Sequence, residues 1–419
     1  MTQEKVQGGF PSSFVTRAAL ELSGLKGLRI GVAVSGGGDS MALLNLLHEW
    51  GGGEVDLAAV TVNHGLRAEA ASEAEFVASV CENMEIPHQV LYWDGTQNNG
   101  NLQNAARVAR YRLLADWALE MSRDIVLLAH TSNDVAETFL MNLSRSAGID
   151  GLAAMPDRFV RNGVTFARPL LRENRSTLRS YLKACGRGWI EDPSNHDLRF
   201  DRVKMRGLLD ILEGYGLSAE VVSDSAFALA DSRDIVRNET SGLARSCAAD
   251  DRGDVLLSRV PFASAPFELR RRLLALAIRY VSNAEYPPRY ASVAALLNVK
   301  ENNWKSTLGG CVITADQKTL RIAREFSSVR GTVCASDKLW DNRWKFTGPH
   351  RDGLEIRVLG EDGIKNCPDW RSEGLPWVSI LSSPAIWDGE TMISAPVAGF
   401  SAGWSAQIVA DFITFVEAH

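Results

Sequence analysis

The chain has 419 residues, 45% of them apolar, and a net charge of −6. That length suggests two to four domains with ample apolar content for real cores, and no apolar run reaches the span of a bilayer. The opening MTQEKVQGGFPSSF has no signal-peptide core, and the six cysteines are scattered without C-x-x-C spacing. Neither a zinc ribbon nor an iron–sulfur cluster is indicated, and free thiols in a reducing cytoplasm are expected.

The first strong feature is a β-branched, apolar run, Leu28–Val34, that stops at Ser35-Gly36-Gly37-Gly38-Asp39-Ser40 and gives way to a helical pattern (Met41, Leu43, Leu44, Leu46, Leu47). Three glycines let the backbone turn tightly and approach a ligand without a Cβ in the way. The helix that starts there aims N–H groups and partial positive charge into the turn, and Ser35 and Ser40 add hydroxyls at its two ends. Such a cup suits a phosphate or pyrophosphate. A capped strand-to-helix turn with no ligand has the same look. No Gly-Lys-Ser/Thr follows, so it is not the ATPase P-loop.

Strands at Val55–Asn63, Gln89–Trp93 and Asp124–His130 then alternate with helices at Glu69–Met84, Leu102–Met121 and Asp134–Ser144. This alternation predicts a parallel sheet covered on both faces, with ligands at the carboxyl ends of the strands. The loop Ser35–Ser40, Asn63-His64 with Arg67, and His130 all fall at such ends. Arg107 and Arg110 share one helix face beside Tyr111. Asp134 and Glu137 also share a face, either as caps for a helix start or as a carboxylate pair for a cationic amine. From Arg158 to Arg206 twelve basic residues stand against five acids, which fits either a solvated helix face or a contact with a polyanion. Within that stretch Arg202, Lys204 and Arg206 alternate, as cations lining one groove would, unless the segment is helical.

Beyond Gly207 the pattern changes. Ala226–Leu243 and Phe267–Val281 read as helices, the second carrying Arg270, Arg271 and Arg272 among leucines. Around Leu308–Arg324 the pattern turns β-like, and from Thr332 onward Gly, Pro and Trp punctuate short alternating runs. A small β-rich domain is expected there, with most of the seven tryptophans that follow residue 300 in its core rather than stacked on bases.

Taken together, SGGGDS, VNHGLR, NAARVARYRLL, the H-x-x-x-D-x-x-E-T segment, SAG-x-x-GLAAMP, RPLL and EDPSN followed by R-x-x-x-R occur in an order that resembles the tRNA(Ile)-lysidine synthetase family, whose loop is that of the N-type ATP pyrophosphatases. Fainter likeness runs on through Leu308-Gly309-Gly310-Cys311 and Ile386-Trp387-Asp388-Gly389. The resemblance implies an α/β fold: a Rossmann-like catalytic domain over 1–210, a mainly helical recognition domain over 211–330 and a small C-terminal tRNA-binding domain over 331–419. It implies ATP and Mg²⁺ as cofactors, and tRNA(Ile) with a CAU anticodon and L-lysine as partners. No membrane is involved, and a homodimer is left open. In that family ATP adenylates the C2 oxygen of the first anticodon cytidine, pyrophosphate leaves, and lysine then displaces AMP.

By the same resemblance the loop Ser35–Ser40, His64, Arg67 and His130 would bind ATP, with Mg²⁺ near Asp39. Asp134 and Glu137 would hold lysine, and Arg110 and Arg202 would steady phosphate and cytidine. Arg168, Arg206, Arg270 and Arg271 are the tRNA-binding candidates. The chain departs from the family where Asn133 precedes Asp134 in place of an Asp-Asp pair, and where Val203-Lys204 follow Arg202. A tRNA thiolase would need cysteine pairs, an amide-forming synthetase a nitrogen-supplying domain, and a silent tRNA-binding protein would have no use for Asp39, Asp134 and Glu137.

Overall fold

The computed structural model describes residues 22–51, 55–65, 70–93, 102–191, 197, 199–299 and 301–419, without the side chains of 102–104. The chain forms two compact units, 1–233 and 234–419.

The first unit is built on a six-stranded sheet: β1 (Ile30–Ala33), β2 (Leu57–Asn63), β3 (His88–Tyr92), β4 (Ile125–Leu127), β5 (Arg158–Arg161) and β6 (Val164–Ala167). The strand order is β3-β2-β1-β4-β6-β5. Every pairing is parallel except the β5–β6 hairpin at one edge. Its helices are α1 (Gly38–Gly51), α2 (Ala70–Asn83), α3 (Leu102–Glu120), α4 (Ser132–Leu143), α5 (Arg175–Ala184), α6 (Asp201–Glu213) and α7 (Ala219–Cys247), the last running across the unit boundary. The expected strands and helices of residues 28–144 are all present, shifted at their ends by a few residues.

All four residues of β1 are buried, as a central parallel strand requires. Successive side chains point to opposite faces. Ile30 and Val32 join Leu43, Leu44, Leu47, Val77 and Leu178 in one core layer, while Ala33 joins Val60, Tyr111, Leu114, Trp117 and Phe166 in the other. From β1 the chain runs outward through β2 and β3, then returns to place β4 on β1's other side. The order reverses between β1 and β4, which opens a crevice at their carboxyl ends.

The basic stretch 158–206 is not one helix face. It holds the β5–β6 hairpin, α5 and the start of α6. Arg202, Lys204 and Arg206 lie on helix α6, so Arg202 and Arg206 share a face while Lys204 pairs with Asp201 at 3.2 Å.

In the second unit a five-stranded antiparallel sheet, ordered β7-β8-β11-β10-β9, comprises β7 (Ala248–Asp251), β8 (Asp254–Ser258), β9 (Trp304–Leu308), β10 (Cys311–Ala315) and β11 (Thr319–Arg324). It shares a core with helix α8 (Phe267–Ser282) and the terminal helix α9 (Phe412–Ala418). Residues beyond 332 add a four-stranded sheet and a two-stranded ribbon. Trp340, Trp344, Trp370, Trp387 and Trp404 lie in their core, whereas Trp377 is 44% exposed. No helix among the described residues is long and apolar enough to cross a membrane.

Packing in the first unit is tight at Gly31, where a Cβ would stand 2.6 Å from Cζ3 of Trp117. Gly31→Ala is expected to cost roughly 1–3 kcal/mol through overpacking, read as a lower urea midpoint at unchanged slope.

Candidate active site

The glycine loop leaves β1 and enters α1 at the crevice. Gly36 sits at φ +84°, the left-handed region that favours glycine, and a Cβ there would meet Cδ1 of Ile190 at 3.1 Å. The Ile190 N–H donates to the Gly36 carbonyl at 2.9 Å. Ser40 is buried rather than open to a ligand. Its Oγ accepts from the Ser35 N–H at 3.1 Å and donates to the Gly37 carbonyl at 2.9 Å, clamping the turn. The Ser35 side chain remains exposed. Gly38 lies against Arg179 and Trp189, each about 3.5 Å from where a Cβ would stand.

Across the crevice, α4 starts at Ser132 with Thr131 as its N-cap. Asp134 Oδ2 accepts from both the Thr131 N–H (2.9 Å) and its hydroxyl (3.0 Å). This carboxylate caps the helix with one oxygen, and the other, Oδ1, faces Arg175 at 3.8 Å and Arg202 at 3.9 Å. One turn on, Glu137 is 1% exposed. Its Oε1 accepts from Arg206 Nε at 3.0 Å and Arg175 Nη1 at 3.5 Å. Arg175 Nε also donates to Asp39 Oδ2 at 3.0 Å. One guanidinium thus faces all three acids expected from the sequence.

Charge follows burial and partners. Burial works against the charge of Arg175, yet Asp39, Asp134 and Glu137 outweigh it and hold the guanidinium above its ordinary range. Burial raises the Asp39 carboxyl, with Arg175 opposing. Burial likewise penalises the Asp134 carboxylate, but the surrounding cations and the Thr131 N–H keep it below its ordinary range. Asp39 Oδ1 and Glu137 Oε2 are buried with no hydrogen-bond partner among the described residues.

His130 accepts from Arg168 Nε at Nδ1, 3.2 Å away. Arginine only donates, so the ring proton sits on Nε2. Burial, then the guanidiniums of Arg168, Arg110 and Arg202, overcome the pull of Asp134 and hold the imidazole well below its ordinary range. It is neutral at pH 7. Burial also lowers Arg110, with Asp134 offsetting part of the effect. His64 stands edge-on to Trp93 at 5.7 Å, its basicity lowered by burial and by Arg110. Arg67 lies outside the described residues.

Several expected RNA contacts turn inward. Arg168 is 6% exposed, donates to His130 and the Pro156 carbonyl, and stacks on Phe159. A guanidinium committed in this way has little left to offer RNA. Arg206 donates to Glu137 through Nε while its side chain stays partly exposed. Arg271 donates twice to Glu268, at 2.8 and 2.6 Å, and Arg272 donates to the same carboxylate at 2.8 Å. Arg270 lies over Phe267. The run of three arginines is therefore not a free cationic row.

Sequence reasoning missed Arg175, Arg179, Trp189 and Ile190. The two arginines are four apart on α5, a spacing that puts both on the face toward the loop, but within a long basic stretch nothing singled them out.

Residues 12–211 match the family model for the PP-loop domain, and the class of this first unit is that of the ATP-using PP-loop α/β domains. Over 395 residues the chain is 44% identical to the tRNA(Ile)-lysidine synthase of Ruegeria pomeroyi, covering 93% of this chain and 94% of the relative. It is 35% identical to the enzyme of the same name from Wolbachia pipientis, covering 82% of each. The chain belongs to the tRNA(Ile)-lysidine synthase family.

The His130 geometry makes a spectroscopic prediction. The imidazole nitrogens should report the neutral Nε2–H form across pH 5–8, and Arg168→Met should raise the pH at which the ring protonates while burial still holds it below the free value. Because the folded ring resists protonation, its contribution to stability is present above the unfolded value near 6.5 and declines as pH falls below it. The stability of Arg168→Met should show a weaker decline over that interval.

Proposed function

We propose that this protein ligates L-lysine to C2 of the first anticodon cytidine of the minor isoleucine tRNA with a CAU anticodon. ATP is consumed, AMP and pyrophosphate are released, and lysidine switches codon reading from AUG to AUA. The observation that carries this reading is a glycine loop at the sheet's switch point whose Asp39 is joined through Arg175 to the buried acids Asp134 and Glu137. A phosphate cradle alone would serve many reactions. A cradle beside an amine-binding acid pair suits adenylation followed by aminolysis.

In this scheme the loop Ser35–Ser40 holds the triphosphate, with His64, Arg67 and His130 lining the nucleotide site. The buried, unpartnered Asp39 Oδ1 fits one inner ligand of Mg²⁺. When bound there, the ion would neutralise charge on the departing pyrophosphate. Arg110 and Arg202 steady the reacting phosphate and the cytidine, whose place in a single-stranded loop lets it be splayed out. Asp134 and Glu137 hold the lysine ammonium and receive its proton as the amine attacks. His130 is a donor at Nε2, so the carboxylates are left as proton acceptors.

Arg206, with its side chain 31% exposed, remains a tRNA candidate at the rim of the site. Functionally we divide the chain into a catalytic part (1–210), a recognition part (211–330) and a C-terminal tRNA-binding part (331–419), acting in the cytoplasm.

Purified protein given ATP, Mg²⁺, labelled lysine and this tRNA should incorporate label and release AMP; release of ADP instead would overturn the assignment. Asp39→Ala should lower both half-reactions by roughly 100-fold or more. Glu137→Gln should impair lysine transfer far more than adenylation, and equal loss of the two would contradict the amine-site role.

A further inference from the structure

Arg175 has no role in the scheme above, yet it is the group all three acids share. Its Nε, Nη1 and Nη2 face Asp39, Glu137 and Asp134 at 3.0, 3.5 and 3.8 Å. Its side chain is only 19% exposed. Its backbone is pinned: Arg175 N–H donates to Asn133 Oδ1 at 2.9 Å, and α5 is capped by Asn174, which accepts from Thr177 N–H. The anchored backbone leaves a long side chain free to choose among partners. With Arg202 near Asp134 and Arg206 on Glu137, three guanidiniums already answer three carboxylates. A lysine ammonium entering this pocket would meet acids whose charge is spent.

We propose that Arg175 is a positioning residue that couples nucleotide loading to amine loading. This inference rests on the reading of Asp134 and Glu137 as the lysine acids. Paired with Asp39, Asp134 and Glu137, Arg175 occupies the acids that a substrate ammonium would need. The triphosphate brings several negative charges to the loop beside Asp39 and offers the guanidinium a stronger, bidentate partner. As Arg175 turns toward phosphate, Asp134 and the unpartnered Glu137 Oε2 become available to the ammonium. Lysine therefore binds well only after ATP, and by linkage the reverse holds to the same degree.

The test is calorimetric and needs no turnover. The full chain is titrated with lysine, with and without Mg²⁺ and an ATP analogue carrying a methylene bridge between the α and β phosphorus atoms. Wild type should bind lysine roughly five-fold or more tighter with the analogue present. Arg175→Gln should bind lysine more tightly than wild type when nucleotide is absent, and the analogue should add little. A merely structural arginine would give weaker binding on removal, not stronger. Arg175→Lys keeps the charge but not the three-way fork, so its coupling should fall between the two, and it carries the test if the glutamine variant does not fold.

Coupling that persists in Arg175→Gln, or lysine affinity there that is unchanged or reduced, overturns the proposal and leaves the lysine-site reading standing. Absence of lysine binding to every form, with analogue bound, overturns both.

Discussion

A single strand with neighbours on both sides organises the catalytic unit. Because β1 is buried on both faces, its side chains go into packing, and the polar groups cluster in the loop beyond its carboxyl end. Because the chain reverses direction across the sheet between β1 and β4, two loops that are distant in sequence must diverge there and leave a crevice between them. One is the glycine turn, the other the start of α4. The cradle, the carboxylates and the arginine that joins them are consequences of that placement.

Most of this was legible in the sequence. Apolar runs broken by Gly-rich or polar punctuation marked the parallel strands of residues 28–130, and the motifs at strand ends located Asp39, His130, Asp134 and Glu137. The β5–β6 hairpin was not legible, since its strands, Arg158–Arg161 and Val164–Ala167, are only four residues each and the first is half cationic. Nor were the partners of the arginines. A guanidinium looks the same in a sequence whether it faces solvent, a carbonyl or a ring, and Arg168 shows how completely a backbone carbonyl, a histidine and a phenylalanine can absorb one.

That absorption changes how the basic stretch is understood. The stretch that holds Arg168, Arg175, Arg202 and Arg206 fits either a solvated helix face or a polyanion contact in sequence, whereas in the fold these arginines face His130, Asp39, Asp134 and Glu137. Part of the local excess of positive charge is answered within the chain, by its own cluster of acids.

Asn133 carries a final consequence. Its side-chain oxygen secures the first N–H of α5, a task an aspartate would perform equally well. An aspartate would also have added a fourth negative charge beside the three carboxylates that Arg175 faces. The amide keeps the scaffolding contact without that charge, so the residue that departs from the family pattern leaves Arg175 shared among three acids rather than four.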